Sequence, residues 1–296
     1  MYREDVKRAL RVDCVMRTLV LFATAGAAAA VLLCASGAAA SARTEDTSFV
    51  SAAIGGRLRF EVYLPPGYET SMKRYPVVYV LHGLPASATA YTTLGFVERA
   101  VDAAGRPAIV VVPQAARRGE SDPEYADRGP GDAWETAIAT ELPRVVDARF
   151  RTIRSRAGRA LVGISAGGYG AMHLALRHLD EFSVAESWSG YFHPTDPTGT
   201  QPLDLGSAAR NVEANVHRLI PAVRAQLQSL PTYIAFYVGR SDWRFYAENE
   251  TLNQELSEAG IAHVFRAYPG GHDQRLWQRY AAPWLELALL HLEPAH

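Results

Sequence analysis

Short apolar runs alternate with amphipathic segments along most of this chain, and the alternation predicts strands followed by helices. Residues 57–64 alternate polar and apolar positions, as in a half-exposed strand, whereas residues 77–81 are apolar throughout, as in a strand buried on both faces. Further strands are predicted at 108–112, 160–162, 182–188, 233–238 and 262–268, and helices at 96–104, 132–150, 168–179 and 246–259 and after Asp273. This order predicts an α/β fold with a mostly parallel central sheet covered by helices on both faces. In such sheets, functional sites lie at the carboxyl ends of the strands.

Two irregular stretches interrupt the alternation. Residues 114–131 are polar and rich in glycine, proline and charges, which predicts a loop over the site. In the helix that follows this loop, we expect Asp132 to act as the N-cap and Pro143 to cause a kink. We interpret residues 191–230 as an insertion at the rim of the site, with a helix near residues 208–219.

The N-terminal segment has the pattern of a targeting sequence. Residues 18–37 are apolar, basic residues precede them, and an A-x-A cleavage site follows at Ala40-Ser41-Ala42. This predicts a signal peptide over residues 1–42, with cleavage near Ala42, and hence a secreted or cell-envelope protein. An uncleaved membrane anchor is the alternative, because the apolar run is almost long enough to span a bilayer. Met16 is an alternative start, since the basic region is long for a signal peptide.

Composition narrows the classes of function. The 296 residues include 30 basic and 31 acidic side chains, so no nucleic-acid partner is predicted. The two cysteines, Cys14 and Cys34, lie in the N-terminal segment, which leaves residues 43–296 without a disulfide, a thiol nucleophile or a cysteine-based metal site. The length of residues 43–296 fits a single α/β domain. The sequence carries no signal for an oligomeric state.

A G-x-S-x-G motif, residues 163–167, stands between a predicted strand and a predicted helix. In that setting the motif forms a nucleophile elbow, a sharp and strained turn that exposes the serine hydroxyl. Gly163 and Gly167 supply the small neighbours that the turn requires, and Gly168 lets the helix lie close. Ser165 is therefore the candidate nucleophile.

A serine hydroxyl needs a base within hydrogen-bond reach, and the base needs a carboxylate that fixes its tautomer. His272 follows the strand predicted at 262–268, in a turn with two glycines, and comes after Ser165 in the chain, as this motif requires. Asp242 follows the strand at 233–238 and is the candidate acid. Glu248, on the next helix, is an alternative.

The oxyanion of an acyl-transfer reaction needs backbone donors near the nucleophile. The N–H of Ala166 at the helix start and that of Leu84, in the loop after the strand 77–81, are the candidates. Four side chains near strand ends are candidates for substrate binding: His82, Trp188, Tyr191 and Trp243. Phe192 and Phe245 could join them in an apolar subsite, and ordinary packing is the alternative for each aromatic residue.

Five stretches together resemble the esterase family of α/β-hydrolases, which includes feruloyl esterases, S-formylglutathione hydrolase and the antigen 85 mycolyltransferases. They are YLPPGY, VVYVLHGL, DAWETAIATELPRVV, GISAGGYGAMHLAL and GGHDQRLW, between about Phe60 and Trp284. The resemblance implies the α/β-hydrolase fold and the same triad and oxyanion donors that the motifs indicate. Trp134-Glu135 matches a family motif, for which we expect a mainly structural role.

One departure concerns the loop that carries Leu84. Antigen 85 proteins have an Asp-Gly-Leu-Arg stretch that helps to bind trehalose, and this chain has His82-Gly83-Leu84-Pro85 in its place. The loss of the aspartate and the arginine favours an esterase over a mycolyltransferase, and the export signal keeps the transferase as an alternative.

These observations lead to one hypothesis with two alternatives. The hypothesis is an exported serine ester hydrolase that acts through a Ser-His-Asp triad and an acyl-enzyme, on a small-molecule, lipid or carbohydrate ester, without a metal or organic cofactor. The first alternative is acyl transfer to a sugar or lipid alcohol. The second is a non-catalytic envelope protein with the same fold.

Overall fold

The computed structural model describes residues 41–87, 89–120, 124–196 and 198–296 and contains one eight-stranded sheet. In chain order its strands are β1 (Arg43–Ser51), β2 (Gly56–Leu64), β3 (Val77–Leu81), β4 (Ile109–Pro113), β5 (Arg159–Ile164), β6 (Val184–Trp188), β7 (Tyr233–Gly239) and β8 (Val264–Tyr268). The order across the sheet is β1-β2-β4-β3-β5-β6-β7-β8. Strand β2 is antiparallel to both of its neighbours. The six strands β3 to β8 are parallel to one another.

Helices cover both faces of this sheet, as predicted. They are α1 (Phe96–Ala103), α2 (Trp134–Thr136), α3 (Leu142–Arg149), α4 (Ala166–Arg177), α5 (Ala208–Glu213), α6 (Val216–Ser229), α7 (Tyr246–Glu258) and α8 (Gln274–Leu290). Short 3₁₀ turns lie at Tyr68–Thr70, Ala90–Leu94 and Arg156–Gly158. Helices α1 and α8 pack on one face, and α3, α4, α6 and α7 pack on the other.

The position of strand β3 between two layers of helices explains why its sequence is apolar throughout. Val77, Tyr79 and Leu81 enter the core under α3 and α4, whereas Val78 and Val80 enter the core under α1 and α8. All five side chains are fully buried. Because alternate residues of a strand point to opposite faces, a strand with helices on both sides has no position that faces solvent, and an apolar run results.

Strand β1 was not predicted from the sequence. It pairs antiparallel with β2 along its whole length, from Arg43 opposite Leu64 to Ser51 opposite Gly56. Most of its residues are polar, and it lies at the edge of the sheet. An edge strand of this composition has neither the apolar run nor the alternation by which strands are recognised.

The helix after residues 114–131 begins differently from the prediction. Its first residue is Trp134, and its first turn is capped by Asp127, whose carboxylate accepts from the N–H of Thr136 at 3.0 Å, whereas the carboxylate of Asp132 pairs with Arg117 at 3.0 Å. A π-helical turn over Ala137–Glu141 joins α2 to α3 just before Pro143. Proline has no N–H to donate to a preceding carbonyl, so the wider turn lies where the regular ladder is interrupted.

The rim segment contains two helices where one was predicted near residues 208–219. Helix α5 ends at Glu213, and α6 starts anew with Asn215 as its N-cap, whose side chain accepts from the N–H of Arg218. Asparagine is favoured at an N-cap over a helix interior because its side chain accepts a hydrogen bond from a free N–H in the first turn of the helix that follows.

The predicted targeting segment lies, up to residue 40, outside the described residues. The described residues belong to one compact unit, and β1 begins at Arg43, directly after the predicted cleavage site. Within the described ranges, no helix has both the length and the apolar character needed to cross a bilayer.

Candidate active site

Ser165 occupies the turn between β5 and α4. Its backbone has φ 56° and ψ −121°, a conformation that L-residues rarely adopt and that costs free energy. The flanking glycines make the turn possible: a Cβ on Gly163 would lie 1.9 Å from the carbonyl oxygen of Gly167, and one on Gly167 would lie 2.0 Å from that of Leu81. Residues 163–167 therefore form the sharp, strained turn that was predicted.

Three side chains that are distant in sequence form one hydrogen-bonded chain. His272 Nε2 is 2.9 Å from the hydroxyl oxygen of Ser165, and His272 Nδ1 is 2.7 Å from Asp242 Oδ2. Since a carboxylate only accepts, Nδ1 carries the proton and Nε2 is free to accept the proton of the serine hydroxyl. Imidazole in this tautomer, beside a hydroxyl, can act as a general base.

The loops after β7 and β8 hold the acid and the base against each other. Asp242 is buried in a turn closed by its N–H to the carbonyl of Gly239, at 3.0 Å. A Cβ on Gly239 would lie 2.5 Å from the carbonyl oxygen of Gly270, so the two loops meet where only glycine fits. The rings of Phe245 and Trp277 contact the His272 ring edge to face, each with centroids 5.2 Å apart. Packing of this kind fixes the imidazole plane and shields it from water.

The two predicted oxyanion donors flank Ser165. Ala166 is the first residue of α4, where backbone N–H groups have no partner inside the helix. The loop that carries Leu84 passes close to the serine, since a Cβ on Gly83 would lie 3.0 Å from Ser165 Cβ. Both Leu84 and Ser165 line the same cavity, so a substrate carbonyl at Ser165 would lie next to this loop.

The cavity next to Ser165 has a volume of about 350 Å³. It is lined mainly by apolar side chains, and Ser165 and His272 lie in its wall. The apolar ones include Leu84, Leu94, Phe96, Ile164, Tyr191, Phe245 and Trp277, and the five other polar ones are Ser87, Thr93, Asp196, Arg244 and Gln274. Its size and composition are those of a site for a small organic molecule or part of a larger one. The sequence did not single out Arg244, Gln274 or Trp277 as residues of the cavity, although Gln274 and Trp277 lie in the GGHDQRLW stretch.

Of the four side chains expected to bind substrate, Tyr191 lines this cavity. Its ring stacks on Tyr169 with centroids 5.5 Å apart and contacts Phe245 at 5.0 Å, and its hydroxyl donates to Glu124. Trp243 is 80% exposed and borders a neighbouring depression together with Asp242 and His272.

The other two candidates, His82 and Trp188, are not among the described residues that line the cavity. His82 is buried, and its Nε2 accepts from the N–H of Ala115 at 3.0 Å. Burial lowers the pKa of His82 to about 4, so the ring is neutral. The Trp188 indole is buried against Tyr237 on the α1–α8 face, and its backbone carbonyl accepts from Ser165 N–H at 2.9 Å. Both residues support the site through packing and hydrogen bonds, which corrects the expectation for their side chains.

The Trp134-Glu135 pair has the structural role that was expected. Trp134 is buried in the core, and Glu135 accepts from Arg177 at 2.7 Å and from His178 at 3.0 Å. Burial alone would raise the pKa of Glu135, but the hydrogen bonds from His173, His178 and Arg177 bring it well below its ordinary value. This ionised carboxylate ties α2 to α4, the helix that begins at the elbow.

Comparison with known proteins adds a family and solved structures. The family model described as "Putative esterase" matches residues 51–282. The chain is 30% identical over 249 residues to "Esterase Rv1288" of Mycobacterium tuberculosis (strain ATCC 25618 / H37Rv), covering 76% of this chain and 54% of that protein. It thus spans about half the length of the curated relatives it matches.

Two solved structures are similar over most of the chain. A ferulic acid esterase superposes with a TM-score of 0.70 at 24% identity, covering 85% of this chain and 99% of that one. An S-formylglutathione hydrolase from Agrobacterium tumefaciens gives 0.70 at 20% identity, covering 86% and 97%. These similarities confirm the predicted α/β-hydrolase fold. With the family match over residues 51–282, the chain belongs to the "Putative esterase" family.

Proposed function

We propose that the protein is a serine ester hydrolase in which Ser165 is the nucleophile, His272 the base and Asp242 the carboxylate that orients it. The observation that carries the proposal is the hydrogen-bonded chain from Asp242 through His272 to Ser165, next to a cavity of about 350 Å³. A hydroxyl, an imidazole and a carboxylate in this order are the groups that nucleophilic acyl transfer requires. Membership of the esterase family supports ester chemistry over other uses of the fold.

The first half-reaction forms an acyl-enzyme. Ser165 Oγ attacks the ester carbonyl while His272 Nε2 takes the hydroxyl proton, and the carbonyl oxygen becomes an oxyanion held by the N–H groups of Ala166 and Leu84. The tetrahedral intermediate then collapses, the bond to the alcohol breaks, and His272 returns the proton to the departing alkoxide. Asp242 stabilises the imidazolium that exists between these two transfers.

The second half-reaction releases the acid. Water takes the place of the alcohol beside His272, loses a proton to Nε2 and attacks the acyl carbonyl. The second tetrahedral intermediate expels Ser165 Oγ, which recovers its proton from His272. If a sugar or lipid alcohol occupied the place of water, the same steps would transfer the acyl group to it, which is the alternative function.

We also propose that the enzyme is exported, with cleavage after Ala42. Cleavage there would leave β1 intact, because its pairing with β2 starts at Arg43. N-terminal sequencing of protein recovered from the culture fluid or cell envelope tests this. The expected first residue is Arg43, and an intact N-terminus in the membrane fraction would favour the anchor instead.

The activity is tested on p-nitrophenyl esters from acetate to palmitate, with the purified protein, Ser165→Ala and Ser257→Ala. Ser257 is a hydroxyl on α7 that donates to Asn253 and serves as the matched control. We expect turnover in the wild type and in Ser257→Ala, a loss of roughly 10⁴-fold or more in Ser165→Ala, and a chain-length limit set by the cavity. Rates that require an added sugar, with acylated sugar as the product, would assign a transferase. Silence of the wild type on every ester and acceptor would contradict catalysis and favour a binding protein.

A further inference from the structure

Three titratable side chains outside the triad converge on one point. His193 lies in the loop after β6, His217 in α6 and Glu248 in α7. His193 Nδ1 is 2.6 Å and His217 Nε2 is 3.3 Å from the same carboxylate oxygen, Glu248 Oε1. One potential ligand atom from each residue lies within 4.8 Å of the other two. Two imidazole nitrogens and a carboxylate oxygen are a frequent ligand set for transition metals.

A second carboxylate orients one of these ligands. Glu255 Oε2 is 2.5 Å from His217 Nδ1, so Nδ1 carries a proton, and Nε2, the atom that would bind an ion, faces Glu248 Oε1. Metal-binding histidines almost always donate their other N–H to a carboxylate or carbonyl in this manner. The Phe192 N–H likewise holds Glu248 Oε1, at 2.8 Å. The ligand set is therefore supported by groups that do not themselves belong to it.

The spacing is close to that around a tetrahedral ion. Ligands about 2.0–2.1 Å from Zn²⁺ in tetrahedral geometry lie roughly 3.3 Å from one another. The His217–Glu248 distance already has this value at 3.3 Å, and the 2.6 Å between His193 and Glu248 needs to open by less than an ångström. The His193 side chain is 34% exposed, which gives an ion an entry path and leaves room for water as a fourth ligand.

We propose that His193, His217 and Glu248 bind one divalent transition-metal ion, with Zn²⁺ as the best match. Nitrogen ligands disfavour Ca²⁺ and Mg²⁺, which prefer oxygen shells of six or more ligands. The chain supplies no cysteine in this region, which removes the softer ligand sets.

The ion would join the rim segment to α7. His193 and His217 belong to residues 191–230, and Glu248 lies in the first turn of α7. Each side of this junction carries an aromatic residue of the cavity wall, Tyr191 on the rim and Phe245 before α7, with ring centroids 5.0 Å apart. The site would thus stabilise the wall of the cavity without taking part in the reaction of Ser165. The inference is independent of the proposed esterase activity.

Metal content and thermal stability test the proposal, using protein purified without a polyhistidine tag and stripped with a chelator. Zn²⁺ is added, excess ion is removed by gel filtration, and zinc per chain is measured. We expect one equivalent in the wild type and a rise in Tm of roughly 5–10 °C at a hundredfold excess of ion over its Kd. Co²⁺ in place of Zn²⁺ should show the visible absorption of a site with nitrogen and oxygen ligands.

Variants separate a built site from chance binding. His193→Ala and Glu248→Gln should each weaken binding by at least tenfold, and Glu248→Gln keeps an oxygen that can accept from Phe192. His291→Ala is the control, because the His291 ring does not belong to the cluster. It stacks on the ring of Tyr233, with centroids 3.8 Å apart. No retained zinc in the wild type, or equal zinc in all variants, would overturn the proposal and leave a network held by protons alone.

Discussion

His272 and His217 each place Nδ1 against a carboxylate, but their second nitrogens meet different groups. At His272 the Nε2 partner is a hydroxyl, Ser165, at 2.9 Å. At His217 it is another carboxylate, Glu248, at 3.3 Å. A hydroxyl can give its proton to imidazole during an attack on an ester, whereas a carboxylate has no proton to give and can share a cation with the ring. The group at the second nitrogen, rather than the histidine itself, separates a candidate base from a candidate metal ligand.

The two histidine rings also differ in the number of carboxylates around them. Burial alone would lower the pKa of His217, but its hydrogen bonds to Glu248 and Glu255 raise it. Burial would raise the pKa of Glu248, and the hydrogen bonds from His193 and His217 bring it down to about 2. The Glu248 carboxylate is therefore ionised, and a bound metal ion would displace the imidazole protons that it accepts in the metal-free protein. The ring of His272 instead lies between two aromatic neighbours, Phe245 and Trp277, and one carboxylate.

The largest expected difference comes from replacing the carboxylate that contacts Nδ1 of each histidine by the corresponding amide. Asp242→Asn should lower kcat by about 10³–10⁴-fold, because an amide NH₂ facing Nδ1 favours the tautomer whose Nε2 carries a proton and cannot act as a base. Glu255→Gln should instead lower the affinity for Zn²⁺ by about 10–100-fold. Steady-state kinetics and zinc titrations of both variants measure this.

Asp180→Asn, which changes an exposed carboxylate in the turn after α4, is the control for kcat. Unaltered kcat in Asp242→Asn would mean that His272 needs no orienting carboxylate, and the contrast between the two histidines would fail.

The backbone at Ser165 offers a second test, since the elbow depends on glycine and the His217 cluster does not. Gly163→Ala would place its Cβ 1.9 Å from the Gly167 carbonyl oxygen and should destabilise the protein by about 3 kcal/mol or more. Gly95→Ala is the matched control, because a Cβ there meets nothing within 4 Å and the φ of −57° suits alanine. Denaturant unfolding of both variants is the measurement. Equal stability would show that the turn can relax, and that its strain is not fixed by packing.

A third histidine, His82, extends the comparison, and its replacement has the smallest expected effect of the three tests. Among the described residues, the ring of His82 has no carboxylate partner: it contacts the Gly83 carbonyl and the Ala115 N–H, and burial lowers its pKa to about 4. Unfolded histidine has a pKa of about 6.5. Between these values the unfolded chain binds a proton that the folded chain does not, so the contribution of His82 is complete above the unfolded pKa and falls as pH drops toward 4.

His82→Gln should therefore lose less stability than the wild type between pH 7 and 4.5, by roughly 2 kcal/mol. Urea midpoints at both pH values measure the difference, with exposed His296→Gln as the control. The same pH dependence in wild type and His82→Gln would show that this ring is not the buried neutral group described above.

The hydrogen-bonded chain of Ser165, His272 and Asp242 could be predicted because each residue lies in or just after a recognisable feature. Ser165 lies in a motif whose glycines are sterically required, and Asp242 and His272 follow apolar strands whose carboxyl ends meet at one edge of the sheet. The order of strands and helices was predictable for the same reason, since burial on both faces leaves a continuous apolar run.

Other parts of the site could not be predicted from the same patterns. Trp188 is the last residue of the buried strand β6, yet its side chain lies on the α1–α8 face with Val184, and a strand buried along its whole length does not reveal from its sequence which residues point to which face. His193, His217 and Glu248 are brought together by a loop and two helices without a shared motif. Their proximity depends on how the rim segment packs against α7, which periodicity does not specify.

The most direct test of the central claim is to locate the serine that an ester-like inhibitor modifies covalently. The protein is incubated with diethyl p-nitrophenyl phosphate, which transfers its diethylphosphoryl group to an activated serine. Because that group is hydrolysed from the serine only slowly, the product can be analysed by intact-mass and peptide mass spectrometry. We expect one diethylphosphoryl group per chain on the peptide that contains Ser165, none in Ser165→Ala, and much slower labelling in His272→Gln. Labelling of another serine, or none in a protein that hydrolyses p-nitrophenyl esters, would contradict the assignment of Ser165 as the nucleophile.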